Sequence, residues 1–243
     1  MTGTRAQGVK MASSPAKAHY QRATAAQAAA QAAPAATMAG LTAYELQLAQ
    51  LHQDRLRLKN VQSTTGKAEL KRQLLPAYTA YVDGVLQAGR GAQDDVLTTV
   101  MLWRIDAGDH AGALDIAAYA LKHHLKMPDR FARTTGCLIA EEVAEAALTA
   151  MKAGGEPDRA LLRRTAELTD DQDMPDEARA KLYMALGRAT LLGLTDLDPG
   201  RPGQVQAGID LLRQAVRLHD KCGVKKDLDA AERLLKKIMP PAG

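Results

Sequence analysis

Six side chains able to bind metals or move protons crowd into the 22 residues from Asp94 to Asp115: Asp94, Asp95, Asp106, Asp109, His110 and Asp115. The chemistry such a set could serve is phosphodiester cleavage, in which carboxylates hold two metal ions about 4 Å apart. The spacing does not require it. Asp94 and Asp95 are adjacent, so on a helix their side chains diverge by about 100°. Asp106 precedes the segment AGDHAG, which contains Asp109 and His110. There Gly108 suits the left-handed position that ends one helix, and Asp109 suits the N-cap of the next. Asp94 and Asp95 fall in the first turn of a helix, where negative charge meets the helix dipole. These acids therefore read as punctuation between helices, and no metal site is assigned.

Other chemistries find less support. His123 and His124 are neighbours, whereas helical metal pairs sit at i, i+4. The pattern places His124 in the core and His123 on the surface. A restriction-type nuclease needs a Pro–Asp pair followed by acid–x–Lys on a strand. The pairs Pro128–Asp129, Pro157–Asp158 and Pro175–Asp176 all follow the one Glu–x–Lys, Glu69 to Lys71, which lies in a helical pattern. No phosphate-binding GxxxxGK[ST] loop is present, which excludes nucleotide hydrolysis by that route. No Ser/His/Asp or Cys/His constellation can be picked out, so no catalytic residue is named. Cys137 and Cys222 stand far apart in no metal spacing and read as reduced thiols of a cytosolic protein.

The elements that would position any site are helices. Hydrophobic residues make up 46% of the chain while aromatics make up 3%, and the excess of Ala and Leu favours helix over strand. No apolar run approaches the roughly 18 residues of a membrane span. The N-terminus has no apolar core of a secretory signal. Residues 1–40 read as a flexible, Ala-rich basic arm, with a fraying helix from about Pro15 capped by Ser14. Leu41, Tyr44, Leu48, Leu51 and Leu58 form one apolar stripe, and Leu70, Leu74, Tyr78, Tyr81, Val85 and Ala88 form a second. Joined by STTG, the two predict a helical hairpin over 41–90, with Pro76 starting or kinking its second limb. A stripe of Val96, Val100, Trp103 and Ala107 follows, then one of Ala113, Ile116, Ala117, Ala120, Leu121 and His124. Residues 91–243 read as helical pairs of tetratricopeptide-like texture with degenerate spacing. The expectation is an all-α protein of nine or ten helices.

Net charge is +4, unevenly spread. Residues 1–44 carry four bases and no acid, and residues 45–90 carry seven bases and four acids. Residues 91–200 carry twelve bases and nineteen acids, and residues 201–243 nine and five. Basic ends on an acidic body suggest a polyanion held by the ends. The candidate DNA-binding residues are Arg5, Lys10, Lys17 and Arg22 in the arm, and Lys225, Lys226, Lys236 and Lys237 bracketing the last helix. Duplex phosphates need long cations, whereas single strands need aromatic platforms, which are scarce here.

The segment from Leu74 to Pro128, and within it GAQDDVL, TVMLWR and GALDIAAYAL, resembles the core of the small terminase subunits of temperate tailed phages with cohesive-end genomes. EEVAEAA (141–147), DMPDEARAKL (173–182), GVKKD (223–227) and SPAKAHYQR (14–22) resemble further family segments in the right order. The resemblance implies a subunit of the DNA-packaging machine. It would recognise the packaging site on concatemeric double-stranded phage DNA in the host cytoplasm and recruit the large ATPase subunit. It also implies a homo-oligomeric ring, which the apolar stripes of the 41–90 hairpin would assemble. The family label includes endonuclease activity. No nuclease core is legible, so end formation is attributed to the complex, and magnesium enters only if the chain itself cuts. Relatives often continue into a Lys/Arg-rich tail where this chain ends in PPAG, so contacts of such a tail cannot be carried over. Two alternatives stay open: an endonuclease in its own right acting through Asp94, Asp95, Asp106 and Asp109, and a purely protein-binding helical adaptor.

Overall fold

The computed structural model describes residues 14–32, 42–128 and 133–238. Among them the chain is all-α, with eleven α-helices. In order these are α1 (Pro15–Gln31), α2 (Thr42–Lys59), α3 (Thr64–Leu74), α4 (Thr79–Ala88), α5 (Asp95–Asp106), α6 (His110–Lys122), α7 (Thr135–Lys152), α8 (Arg159–Leu168), α9 (Asp176–Leu191), α10 (Gln204–Leu218) and α11 (Lys225–Ile238). No helix among the described residues is long and apolar enough to cross a membrane. The described residues fall into two compact units: one up to Ala107 together with Lys122–Leu125, the other Gly108–Leu121 and from Lys126 onward.

In the first unit the 41–90 segment is three helices rather than two. Pro76 has no N–H to donate and cannot extend α3. The chain makes a 3-10 turn at Leu75–Ala77 and restarts as α4. Part of both apolar stripes is covered within the unit, where α5 packs on α2 and α3 and α1 packs on α4, while Leu48 and Leu70 are half-buried and Leu41 lies outside the described residues. Leu51, Tyr78, Tyr81 and Val85 are fully buried in this unit. The helix α5 was expected to bury one face, yet Val96 through Trp103 and Ile105 are all buried. An element apolar on every side belongs inside the fold.

The helix α1 begins as the local signals predict, with Ser14 Oγ accepting from Lys17 N at 3.2 Å and Pro15 in the first turn. It carries no large apolar stripe, yet it is docked. Ala25, Ala28 and Ala29 are buried, and Gly84 of α4 meets it so closely that a Cβ there would lie 2.4 Å from the Arg22 carbonyl oxygen. Small residues let two backbones approach, and many short contacts replace a few large side chains.

In the second unit α9 and α10 make the most extensive helix pair, α7 and α8 flank α9, and α11 packs on α10. Gly187 and Gly208 permit that closeness, since a Cβ at either would collide with Leu212 or Leu191. Ile139, Leu162, Leu182 and Ile209 fill the core, each contributing about 1.5–3 kcal/mol by leaving water.

Candidate nucleic-acid interface

The acids of the 94–115 segment are each engaged separately. Asp94 is the N-cap of α5, where its Oδ1 accepts from Leu97 N at 2.9 Å and its Oδ2 accepts from the Tyr81 hydroxyl at 2.7 Å. It is fully buried. Burial pushes its carboxyl up to about 6, against the opposing pull of the Tyr81, Leu97 and Val96 hydrogen bonds. Asp95 is exposed in the first turn and accepts from Gln93 Nε2 at 3.3 Å. Asp106 pairs with Lys71. Asp109 accepts from Gly112 N at 3.0 Å, the expected N-cap bond, while Gly108 adopts φ 82°. Asp115 pairs with Arg164 at 2.6 Å. Among the described residues no three His, Cys, Asp or Glu side chains stand close enough to share a metal ion.

The histidine expectation is reversed. His124 is exposed at φ 53°, and His123 is the half-buried one, packed against Gly91. The helix stops at Lys122, so the period that carried His124 to the core face ends before reaching it. Burial then lowers the His123 imidazole below its ordinary value.

A buried carboxylate that the sequence did not single out is Asp54. It accepts from the Tyr78 hydroxyl at 2.8 Å, Arg57 Nη1 at 3.0 Å and Gln50 Nε2 at 2.9 Å. Tyr78 packs edge-on to Trp103 with ring centroids 5.8 Å apart, and burial together with Asp54 raises its phenol far above the usual range. The signal was present: Asp54 interrupts the Leu51–Leu58 stripe. A carboxylate on a core face needs buried donors, but the donors could not be named from one sequence.

Of the predicted cationic residues, Arg5 and Lys10 lie outside the described residues. Lys17 and Arg22 are exposed on α1. Lys225 and Lys226 open α11, and Lys236 and Lys237 close it, all four exposed. Eleven residues is close to three helical turns, so Lys225 shares a face with Lys236, and Lys226 with Lys237, about 16 Å apart. Lys237 lies 3.7 Å from Asp196.

Several clefts open in the second unit, and two of them bring arginines together with helix ends. The larger, about 620 Å³, is walled by Leu191, Leu194, Ala231 and Leu234, and its Arg188 and Asp227 pair with each other at 2.7 Å. The other, about 370 Å³, is bounded by Arg159 and Arg163 of α8, Thr190 of α9, and Arg201, Gly203 and Gln204 at the start of α10. No carboxylate lines it. Sequence reasoning passed over its arginines because the local net charge is negative and because Arg201 lies 38 residues beyond Arg163. Only the i, i+4 spacing of Arg159 and Arg163 was legible.

The described residues thus form an all-α architecture. Residues 48–177 match the phage small terminase subunit family, and the chain belongs to that family. It is 46% identical over 223 residues, covering 92% of this chain and 86% of the relative, to a protein of Escherichia phage P2 named "Terminase, endonuclease subunit". No solved structure matches it.

Proposed function

We propose that this chain is the DNA-recognising small subunit of a phage packaging terminase. It binds duplex DNA at the cohesive-end packaging site, assembles as a homo-oligomeric ring, and brings the large ATPase subunit to that site in the host cytoplasm. The observation that carries this reading is the family membership, joined to a relative that spans nearly the whole chain. Two exposed pairs of lysines on α11 and the cations of α1 supply charge suited to phosphates. The helical body over residues 91–243 then serves as a tetratricopeptide-like scaffold for partner contacts.

The name of the P2 relative favours a second reading, in which the chain itself cuts DNA with magnesium. The separate engagement of Asp94, Asp106, Asp109 and Asp115 weighs against it. One experiment separates them. The purified chain is titrated with a duplex carrying the cohesive-end site, with and without magnesium and the large subunit. Salt-dependent binding, with nicking only when the large subunit is present, supports the first reading. Magnesium-dependent nicking by the chain alone replaces it with the second.

A further inference from the structure

Residues 91–200 are acidic overall, and three arginines of this region pair with carboxylates: Arg133 with Glu141, Arg164 with Asp115 and Arg188 with Asp227. Arg159, Arg163 and Arg201 depart from that pattern. They border one cleft of about 370 Å³, all three are exposed, and none pairs with a carboxylate among the described residues. Arg159 and Arg163 are one turn apart, so they project from the same face of α8. Like charges gathered without a counterion repel one another, and an anion relieves that cost.

The rest of the cleft is built to the same sign. The N-cap of α10 is Gly203, whose φ of 76° suits glycine, with no side-chain cap and no acid in the first turn of the helix. Its dipole thus adds positive potential to that of the arginines. The turn is held in place by Gln204, whose Oε1 accepts from Arg201 N at 3.1 Å and whose Nε2 donates to the Thr190 carbonyl at 2.9 Å. No aromatic side chain lines the cleft, so it offers no platform for an unstacked base.

We propose that this cleft grips backbone phosphates of duplex DNA, with the three guanidinium forks as its contacts; this rests on the packaging-subunit reading above. Planar guanidinium groups match phosphate oxygens two at a time, which a lysine cannot do. The contacts carry no sequence information. They fix the position of the chain on the duplex.

The test uses the full chain and a fluorescent duplex carrying the packaging site, from 50 to 200 mM salt. With Arg159→Gln, Arg163→Gln and Arg201→Gln combined, the slope of log affinity against log salt should fall by about 2.7, or about 0.9 per contact. Each single substitution should lower it by about 0.9, which keeps the test decisive if the triple variant does not fold. The Arg→Lys triple should keep most of the slope and bind more weakly. An unchanged slope in the Gln variants, beside a salt-dependent wild type, overturns the cleft and leaves the packaging reading intact. An unchanged slope accompanied by lost association with the large subunit assigns the cleft to an acidic protein segment instead. A wild-type chain with no duplex binding overturns both.

Discussion

Asp54 and Asp94 in the first unit are buried, and each is met by a tyrosine hydroxyl and by further donors. Arg159, Arg163 and Arg201 in the second unit are exposed and border one cleft that no carboxylate lines. The two sets differ in what their charges are for. A buried carboxylate surrounded by donors is costly to disturb and has little capacity left for an outside ligand. An exposed cation cluster adds little to the stability of the fold and keeps its donors free. In the acid-rich segment that looks most like chemistry in the sequence, Asp94 is already committed to the fold.

The largest expected effect tests whether the leucine stripe of α2 is core or interface. Leu51 is 0% exposed and Leu46 is 67% exposed. Leu51→Asp should cost more than about 4 kcal/mol, because it buries a charge without a partner. Leu46→Asp should stay within about 0.5 kcal/mol of the parent in urea unfolding. If α2 joins subunits in a ring, Leu46→Asp combined with Leu56→Asp should shrink the particle in light scattering while each chain stays folded. A Leu51→Asp chain as stable as its parent would show that the stripe is not core.

Asp94 gives the next effect, and it depends on pH. Its carboxyl is held at about 6, above its ordinary 3.8. The folded chain therefore binds the proton more tightly than the unfolded chain. That contribution to stability is complete below about pH 4 and is lost as pH rises through about 6, a change on the order of 2–3 kcal/mol. Unfolding of wild type and Asp94→Asn should be compared from pH 4 to 7. The advantage of the wild type should fade across this window, and parallel curves would contradict the burial argument. At pH 7 Asp94→Ala should still destabilise by about 1–3 kcal/mol, since it removes an N-cap and leaves the buried Tyr81 hydroxyl without its acceptor.

Much of this was legible because capping is local. Ser14 and Asp109 read as N-caps from sequence, and each accepts from the N–H three residues on; Asp94, read only as a first-turn acid, and Asp158, not read as a cap, do the same. What sequence could not supply was the long-range partner. The docking of α1 depends on Gly84, 62 residues after Arg22. Tyr78 reaches back 24 residues to Asp54. The arginine cleft joins two helix starts separated by an acidic stretch. In each case hydrophobic period shows that a face is used without showing what meets it. The identity of the family came through a different route, from continuous motifs such as TVMLWR, and it did not depend on knowing those contacts.

Asp109 sits between the extremes, exposed and yet used as a cap. Asp109→Ala should lower stability by about 0.5–2 kcal/mol, the usual cost of a lost N-cap. Asp109→Asn should be nearly neutral, since asparagine caps as well. If Asp109→Asn abolished cleavage by the terminase complex while folding and DNA binding stayed intact, Asp109 would belong to a reaction and the contrast between structural acids and available cations would fail.

The smallest effects come from the two lysine pairs of α11, and their opposite signs make them informative. Lys236 and Lys237 lie in the last turn, where cations complement the helix dipole, and Lys237 also lies near Asp196. Lys225 and Lys226 lie in the first turn, where the same dipole disfavours them. Replacing Lys236 and Lys237 by glutamine should therefore lower stability by a few tenths of a kcal/mol, and replacing Lys225 and Lys226 should raise it by about as much. If all four contact DNA, both double variants should reduce the salt slope by up to about 1.8 despite their opposite effects on folding. A loss confined to the Lys225–Lys226 variant would assign Lys236 and Lys237 to helix termination alone. An unchanged slope in both would remove α11 from the DNA-binding surface and leave the arginine cleft as its remaining candidate in the second unit.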